Sequence, residues 1–525
     1  MVIGRTCLPM DSEKPMNDRP LALVILDGWG YAPRTEGNAI AMAHTPYYDE
    51  ICRHFPMTTL AASGADIGQP DDLPSNAEIG HLNIGTGRVA TTEAARIRAA
   101  VASGEFGENA VLDRAFARVK EKGSNIHLIG LVSDGGVHSS TDNLFALIRM
   151  AKVRGISNVF VHAILDGVDV PPRSADVYLE ALEIKLADIG IGQIATLCGR
   201  FFAMDMSEHW ERTARAFTLL VHAEGERTRD AVAAVRNSFL RGIGDEFTAP
   251  IVVEKAPDMP VATVKSGDLV VFFNHRADGM RQLVRSLCVP EGESGAKPDI
   301  DTVGLVEYDP GFNLPAAFRH EPEKQSLTEV LSANEIPNVK ITEPARYSHL
   351  TWFFNGGSDS PSRWEQQILI GDPGSRLADM PPESESFKIA DRLRRGIETA
   401  PNGVFVVNIP AAGLIAETGD LDRTVAAIQY IDTCLGGICE RLEQARGVVL
   451  ITSTHGNCVE MVHLDSGEPS FSATANPVPL HFVDFASNGV SLRDGGTLAD
   501  IAPTILGILG LEKPSEMTGS DLRIV

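Results

Sequence analysis

The sequence predicts an α/β protein built on largely parallel sheets. Three observations carry the prediction. Short, continuous apolar runs recur along the 525-residue chain. Each ends in polar sequence, most often with a glycine. Helical patterning separates one run from the next. Continuous apolar runs suit strands buried on both faces, and their alternation with helical stretches marks α/β units.

In chain order, Leu21 to Leu26 ends in Asp27-Gly28, Ile126 to Val132 in Ser133-Asp134-Gly135-Gly136, and Val159 to Leu165 in Asp166-Gly167. Ile194 to Leu197 leads to Gly199-Arg200, and Leu269 to Phe273 to Asn274-His275-Arg276. Val404 to Val407 ends in Asn408, and Val448 to Ile451 in Thr452-Ser453-Thr454-His455-Gly456. Ligands of such sheets bind at the carboxyl ends of strands, so this polar punctuation reads as a site assembled from both halves of the chain. Asn76 to Arg88, rich in Gly and Asn, reads as a tight loop entering a helix. Val289 to Asp301 and Asp372 to Glu385 read as loops. Thr497 to Leu511 has helical spacing, with Pro503 tolerable only near the first turn.

Composition narrows the class. The chain is 43% hydrophobic and 22% charged, an ordinary globular balance for two to four domains. A net charge of -24 argues against a general nucleic-acid binder. No apolar run approaches the ~18 residues of a membrane span, and the first twenty residues lack a signal-peptide core. Seven cysteines, an odd number without a CxxC pair, suit a reducing cytoplasm rather than a disulfide framework.

The chemistry-bearing motifs are Leu26-Asp27-Gly28, Asn76-Ala77-Glu78-Ile79-Gly80-His81, Ser133-Asp134-Gly135-Gly136-Val137-His138, Asp166-Gly167-Val168-Asp169, Thr454-His455-Gly456-Asn457 and Asn476-Pro477-Val478-Pro479. From Leu21 to the C-terminus they resemble, collinearly, the cofactor-independent (2,3-bisphosphoglycerate-independent) phosphoglycerate mutases of the alkaline-phosphatase-like superfamily. The resemblance implies a phosphatase-like domain split over 1–91 and 326–525, with an α/β transferase domain inserted at 92–325. It also implies a serine that shuttles a phosphoryl group, two Mn²⁺ or Mg²⁺ ions, a cytoplasmic setting and a monomer.

Carried over residue by residue, the resemblance departs at the reacting centre. The family's first ligand Asp matches Asp27, but its nucleophilic serine falls on Ala77, whose methyl cannot attack phosphorus. Its Asp-x-x-x-His ligands fall on Gly413 and Glu417. Its Asp-His pair falls on Thr454 and His455, and its last ligand histidine on Ala473. Asp27 and His455 are therefore remnants of a metal site, with Glu417 offering a substitute carboxylate. Two divalent sites want more ligands than these. A phosphoryl-neutralising lysine matches Arg346.

The substrate-binding half is better kept: His138, Asp169, Arg200 and Arg276 match family positions, while three arginines have become Val168, Met206 and Gly279. Arg173, Arg212 and Arg281 lie near these losses and could replace some of the charge. Arginine forks suit carboxylates and phosphates. The expected activity is thus binding of a phosphoglycerate-like phospho- or phosphono-carboxylate without normal mutase turnover. One alternative is a metal-independent transferase that uses an activated donor in specialised metabolism, such as that of phosphonates. A second is an active Mn²⁺-dependent mutase with an unrecognised nucleophile.

Overall fold

The computed structural model describes residues 19–69, 75, 77–206, 208–289, 297–319, 322–358, 361–371, 381–383, 385–463, 467–470, 474–487 and 489–524. Asn76, Ala473, 290–296 and most of the 372–385 loop, all singled out above, lie outside the described residues. The chain divides into two compact units, residues 1–92 with 321–525, and residues 93–320.

The first unit holds an eight-stranded sheet. Leu21–Leu26 lies between Val404–Ile409 and Val448–Thr452, parallel to both. Asn338–Thr342 continues the parallel set beyond Val404–Ile409. Val478–Asp484 reverses direction beside Val448–Thr452. The apolar run of Leu21–Leu26 is continuous because both faces are covered. Leu21, Leu23 and Ile25 pack under a layer that includes Ile79, Val330 and Ile505. Ala22, Val24 and Leu26 pack against one that includes Leu393, Ile428 and Leu435. Burial of a Leu or Ile side chain is worth about 1.5–3 kcal/mol, so this central strand anchors the unit.

The helix expected to follow a tight loop begins earlier than that reading implies: Ala77–Thr86 is an α-helix, nine of whose ten residues are buried. Its glycines permit close approach rather than a turn. A Cβ at Gly80 would stand 2.4 Å from Thr454 Cβ, and one at Gly85 1.9 Å from the Phe354 carbonyl oxygen. Near the C-terminus, Ile501–Leu509 is helical with Pro503 in its first turn, where the missing N–H is harmless.

The second unit is built the same way. Leu269–Phe272, Ile126–Leu131, Val159–Leu165 and Gln193–Gly199 are neighbouring parallel strands. A buried polar chain crosses three of them. His127 Nε2 meets Asp268 Oδ2 at 3.2 Å, His127 Nδ1 meets His162 Nε2 at 2.9 Å, and His162 Nδ1 meets Thr196 Oγ1 at 2.8 Å. Among the described residues, no helix is long and apolar enough to cross a membrane.

Buried neutral histidines set an acid limit. Burial pushes His275 and His481 down to about 4, burial and the Arg276 guanidinium push His138 down to about 3, and burial and His127 push His162 well below its ordinary value. The unfolded chain protonates these groups near pH 6.5, whereas the folded chain does not. Their contribution is therefore whole above pH 6.5 and is lost on acidification, at about 1.4 kcal/mol per pH unit for each histidine. Melting temperature is expected to fall steeply from pH 6.5 to 5 in scanning calorimetry. A flat profile over that window would contradict the neutral, buried state of these rings.

Candidate functional site

The first unit gathers its polar side chains at the carboxyl ends of four neighbouring parallel strands, where open α/β sheets bind ligands. Asp27 follows Leu21–Leu26, Asn408 is the penultimate residue of Val404–Ile409, and Thr454 and His455 follow Val448–Thr452. Arg346 ends a short turn after Asn338–Thr342. Asp27 is fully buried. Its Oδ2 accepts from Arg346 Nε at 2.8 Å, while its Oδ1 accepts from Asn408 Nδ2 at 3.1 Å and Thr454 Oγ1 at 3.0 Å. Arg346 Nη2 donates to Glu417 Oε1 at 2.6 Å. Glu417 follows the short helix Ala411–Ala416. Burial alone would raise the Asp27 carboxyl. Arg346 instead holds it well below the usual carboxylate range.

The hydrogen-bond senses then follow. Ionised Asp27 only accepts, so Thr454 donates to it, and the Thr454 oxygen accepts from His455 Nδ1 at 2.8 Å. Burial lowers the His455 pKa, so the ring is neutral and its Nε2 carries a lone pair. His81 is arranged alike: Nδ1 donates to the Ala77 carbonyl at 2.7 Å, and the buried Nε2 has no hydrogen-bond partner. Ala77 opens its helix as a buried methyl, and Gly413 lies in Ala411–Ala416. A Cβ at Gly413 would stand 2.8 Å from both the backbone carbon and the oxygen of Asp27.

The second unit has its own strand-end cluster. Arg200 follows Gln193–Gly199, and its Nη1 lies 2.7 Å from Asp166 Oδ1 and 2.9 Å from Asp169 Oδ2. Ser133 Oγ donates to the other Asp166 oxygen at 2.7 Å. No described residue takes Arg200 Nε or Nη2, so that edge of the fork is open. Arg276 pairs with Asp278 at 2.8 Å, and His138 Nδ1 lies 3.5 Å from the same carboxylate. The His138 carbonyl accepts from the His275 backbone N–H at 2.9 Å. Burial and the neighbouring Asp166 raise Asp169, against the pull of Arg200.

The structure thus joins Asp27, Arg346, Glu417 and the Thr454-His455 pair in one cluster. It sets Arg200 with Asp169, and His138 with Arg276 through Asp278, in the other unit. Two of the arginines expected to replace charge have partners of their own. Arg212 is committed to Asp205 at 2.8 Å and lies over the Phe201 ring, and Arg281 Nε donates to the Tyr308 carbonyl. Val168 and Met206 stand exposed where the resemblance places arginines. The partnerships that residue-by-residue reading missed are Asn408 and Thr454 on Asp27, Ser133 and Asp166 on the arm of Arg200, and Asp278 between His138 and Arg276. Their strand-end positions were the available signal.

Residues 97–310 match the family profile described as the BPG-independent PGAM N-terminus. The chain is 38% identical over 510 residues to a 2,3-bisphosphoglycerate-independent phosphoglycerate mutase of Clostridium perfringens, covering 97% of this chain and 99% of that one. It is 42% identical over 511 residues to the enzyme of that name from Moorella thermoacetica, with the same coverage. Among solved structures, phosphoglycerate mutase of Leishmania mexicana at low cobalt concentration superposes with a TM-score of 0.86 at 26% identity. That match covers 97% of this chain and 98% of the other.

Proposed function

Because the chain belongs to the 2,3-bisphosphoglycerate-independent phosphoglycerate mutase family, we propose that it binds a phosphoglycerate-like phospho- or phosphono-carboxylate without interconverting 3- and 2-phosphoglycerate. One observation carries the reading. The side chain at the family's nucleophile position is the buried methyl of Ala77, which has no lone pair to offer phosphorus. In this reading the unit formed by residues 93–320 holds the ligand. The open Nε/Nη2 edge of Arg200 takes one oxyanion, Arg276 adds charge, and neutral His138 supplies a polar contact. Asp169, with Asp166, holds Arg200 in position.

The Leishmania mexicana relative is described with cobalt. The ligand positions of this chain do not fit the family's pair of ions. They hold Asp27, Gly413, Glu417, Thr454 and His455, with both carboxylates already engaged by Arg346. Among the described residues no group of three or more His, Cys, Asp or Glu side chains is arranged to hold a metal ion.

A second reading is metal-independent transfer from an activated donor to such an acceptor. What supports it is the same Ala77 methyl, because transfer from an activated donor needs no covalent nucleophile on the protein.

Phosphorus NMR of 3-phosphoglycerate with the protein and excess Mn²⁺ tests the proposal. The spectrum is expected to keep its single substrate signal, broadened by binding when the run is repeated without metal. Appearance of 2-phosphoglycerate, absent from an Asp27→Ala control, would establish an active mutase instead.

A further inference from the structure

We infer that Arg346 is the resident cation of the Asp27 centre, so that this centre excludes divalent metal for as long as the guanidinium stands between Asp27 and Glu417. The inference rests on the reading above that the family's ion pair does not fit here. It adds the cause, and a way to reverse it.

The first argument is occupancy. A metal needs carboxylate lone pairs, and three of the roughly four that Asp27 offers are already taken. Arg346 Nε takes Oδ2, while Asn408 and Thr454 take Oδ1. Glu417 is held at 2.6 Å by Nη2 of the same guanidinium. The planar fork of arginine engages two carboxylates through separate N–H groups held in one rigid plane, a geometry that the compact ammonium of the lysine expected at this position does not share.

The second argument is charge. A fully buried carboxylate requires a paired cation. With neutral histidines, Asp27, Glu417 and Arg346 sum to one negative charge. Two divalent ions would instead bring four positive ones. Arg346 therefore offsets the charge of buried Asp27 without metal, and the negative charge left over is not poised to stabilise a phosphoryl dianion. The one unclaimed donor group is Arg346 Nη1, which no described residue takes.

The third argument is space. The family's additional carboxylate would stand at Gly413, where a Cβ meets the backbone of Asp27 at 2.8 Å. The ligand set is closed by packing as well as by composition.

The test is Mn²⁺ binding, read from the loss of the free-ion signal in electron paramagnetic resonance, alongside thermal melting with Mn²⁺ or with EDTA. Wild-type protein is expected to leave the Mn²⁺ signal intact and to melt at the same temperature in both solutions. Arg346→Met is expected to melt lower in EDTA, to recover part of that loss in Mn²⁺, and to remove free Mn²⁺ from solution. Adding Asp27→Asn is expected to abolish the Mn²⁺ response. Should Arg346→Met not fold, Arg346→Lys replaces it: the charge stays, but one carboxylate is released for the ion. Tight Mn²⁺ binding by wild type overturns the inference, as does a folded Arg346 variant that still binds none. Neither result decides whether 3-phosphoglycerate turns over, which the NMR experiment reads separately.

Discussion

A Gly413→Asp substitution, which restores the family's ligand type at that position, is expected to destabilise the protein by about 3–5 kcal/mol and to confer no mutase activity. Any side chain there starts with a Cβ at 2.8 Å from the backbone of Asp27 and 3.0 Å from its Cβ. Overpacking of this kind costs roughly 1–3 kcal/mol. A second carboxylate beside buried Asp27, with Arg346 already shared, adds several kcal/mol more. Gly437 provides the contrast: it lies in the helix Leu421–Gln444, and a Cβ there meets nothing within 4 Å. Gly437→Ala is therefore expected to stabilise the protein by about 0.5–1 kcal/mol through helix propensity. Chemical denaturation of the two variants checks both signs. A Gly413→Asp protein as stable as wild type would show that the backbone around Asp27 yields more readily than its packing implies.

Arg200→Ala is expected to weaken binding of a phosphoglycerate-like anion by about 100-fold or more and also to destabilise the second unit. It removes a two-pronged charged donor, the strong class of anion contact. It also strands Asp166, 1% exposed, and Asp169 without their cation. Breaking a buried pair in this way costs about 3–5 kcal/mol. Arg200→Lys separates the two effects. It keeps a charge near Asp166 but loses the fork, so stability should fall little while affinity drops roughly 10–100-fold. Isothermal titration with 3-phosphoglycerate, paired with a melting curve, reads both. If Arg200→Lys binds as tightly as wild type, Arg200 is only the counter-ion of Asp166 and the ligand sits elsewhere.

What the sequence reveals about this fold follows from how its strands are buried. Leu21–Leu26, Ile126–Leu131 and Val448–Thr452 are legible because both faces are covered, leaving unbroken apolar runs. Met57–Ala61 and Glu365–Leu369 are not, because both are partly exposed and mix polar with apolar residues. Ala77–Thr86 reads only in part as a helix, behind a tight loop, for a related reason. It is buried on all sides and shows no amphipathic stripe, and its glycines serve contact with Thr454 and Phe354.

In the site, the positions of Asp27, Arg200 and His455 are legible from strand ends and resemblance. The partnership of Arg346 with Asp27 is not, since it joins residues 319 apart in the chain. Strand order brings them together: Asn338–Thr342 and Leu21–Leu26 flank the same strand, Val404–Ile409. No local pattern encodes that adjacency.

The same strand order bears on how the molecule is made. Leu21–Leu26 leaves the ribosome early, yet its first hydrogen-bonded neighbour begins at Val404, nearly 380 residues later (404 minus 26). At about 5–20 residues per second, that neighbour is translated roughly 20–75 seconds afterwards. Throughout this interval a six-residue apolar segment with strong strand tendency has neither of its native partners. Residues 93–320 emerge complete in the meantime, with their own apolar core to bury. The central strand of the finished sheet is thus a long-standing aggregation hazard of the nascent chain, and the yield of soluble protein is expected to depend on elongation rate and on chaperones that hold an early apolar segment.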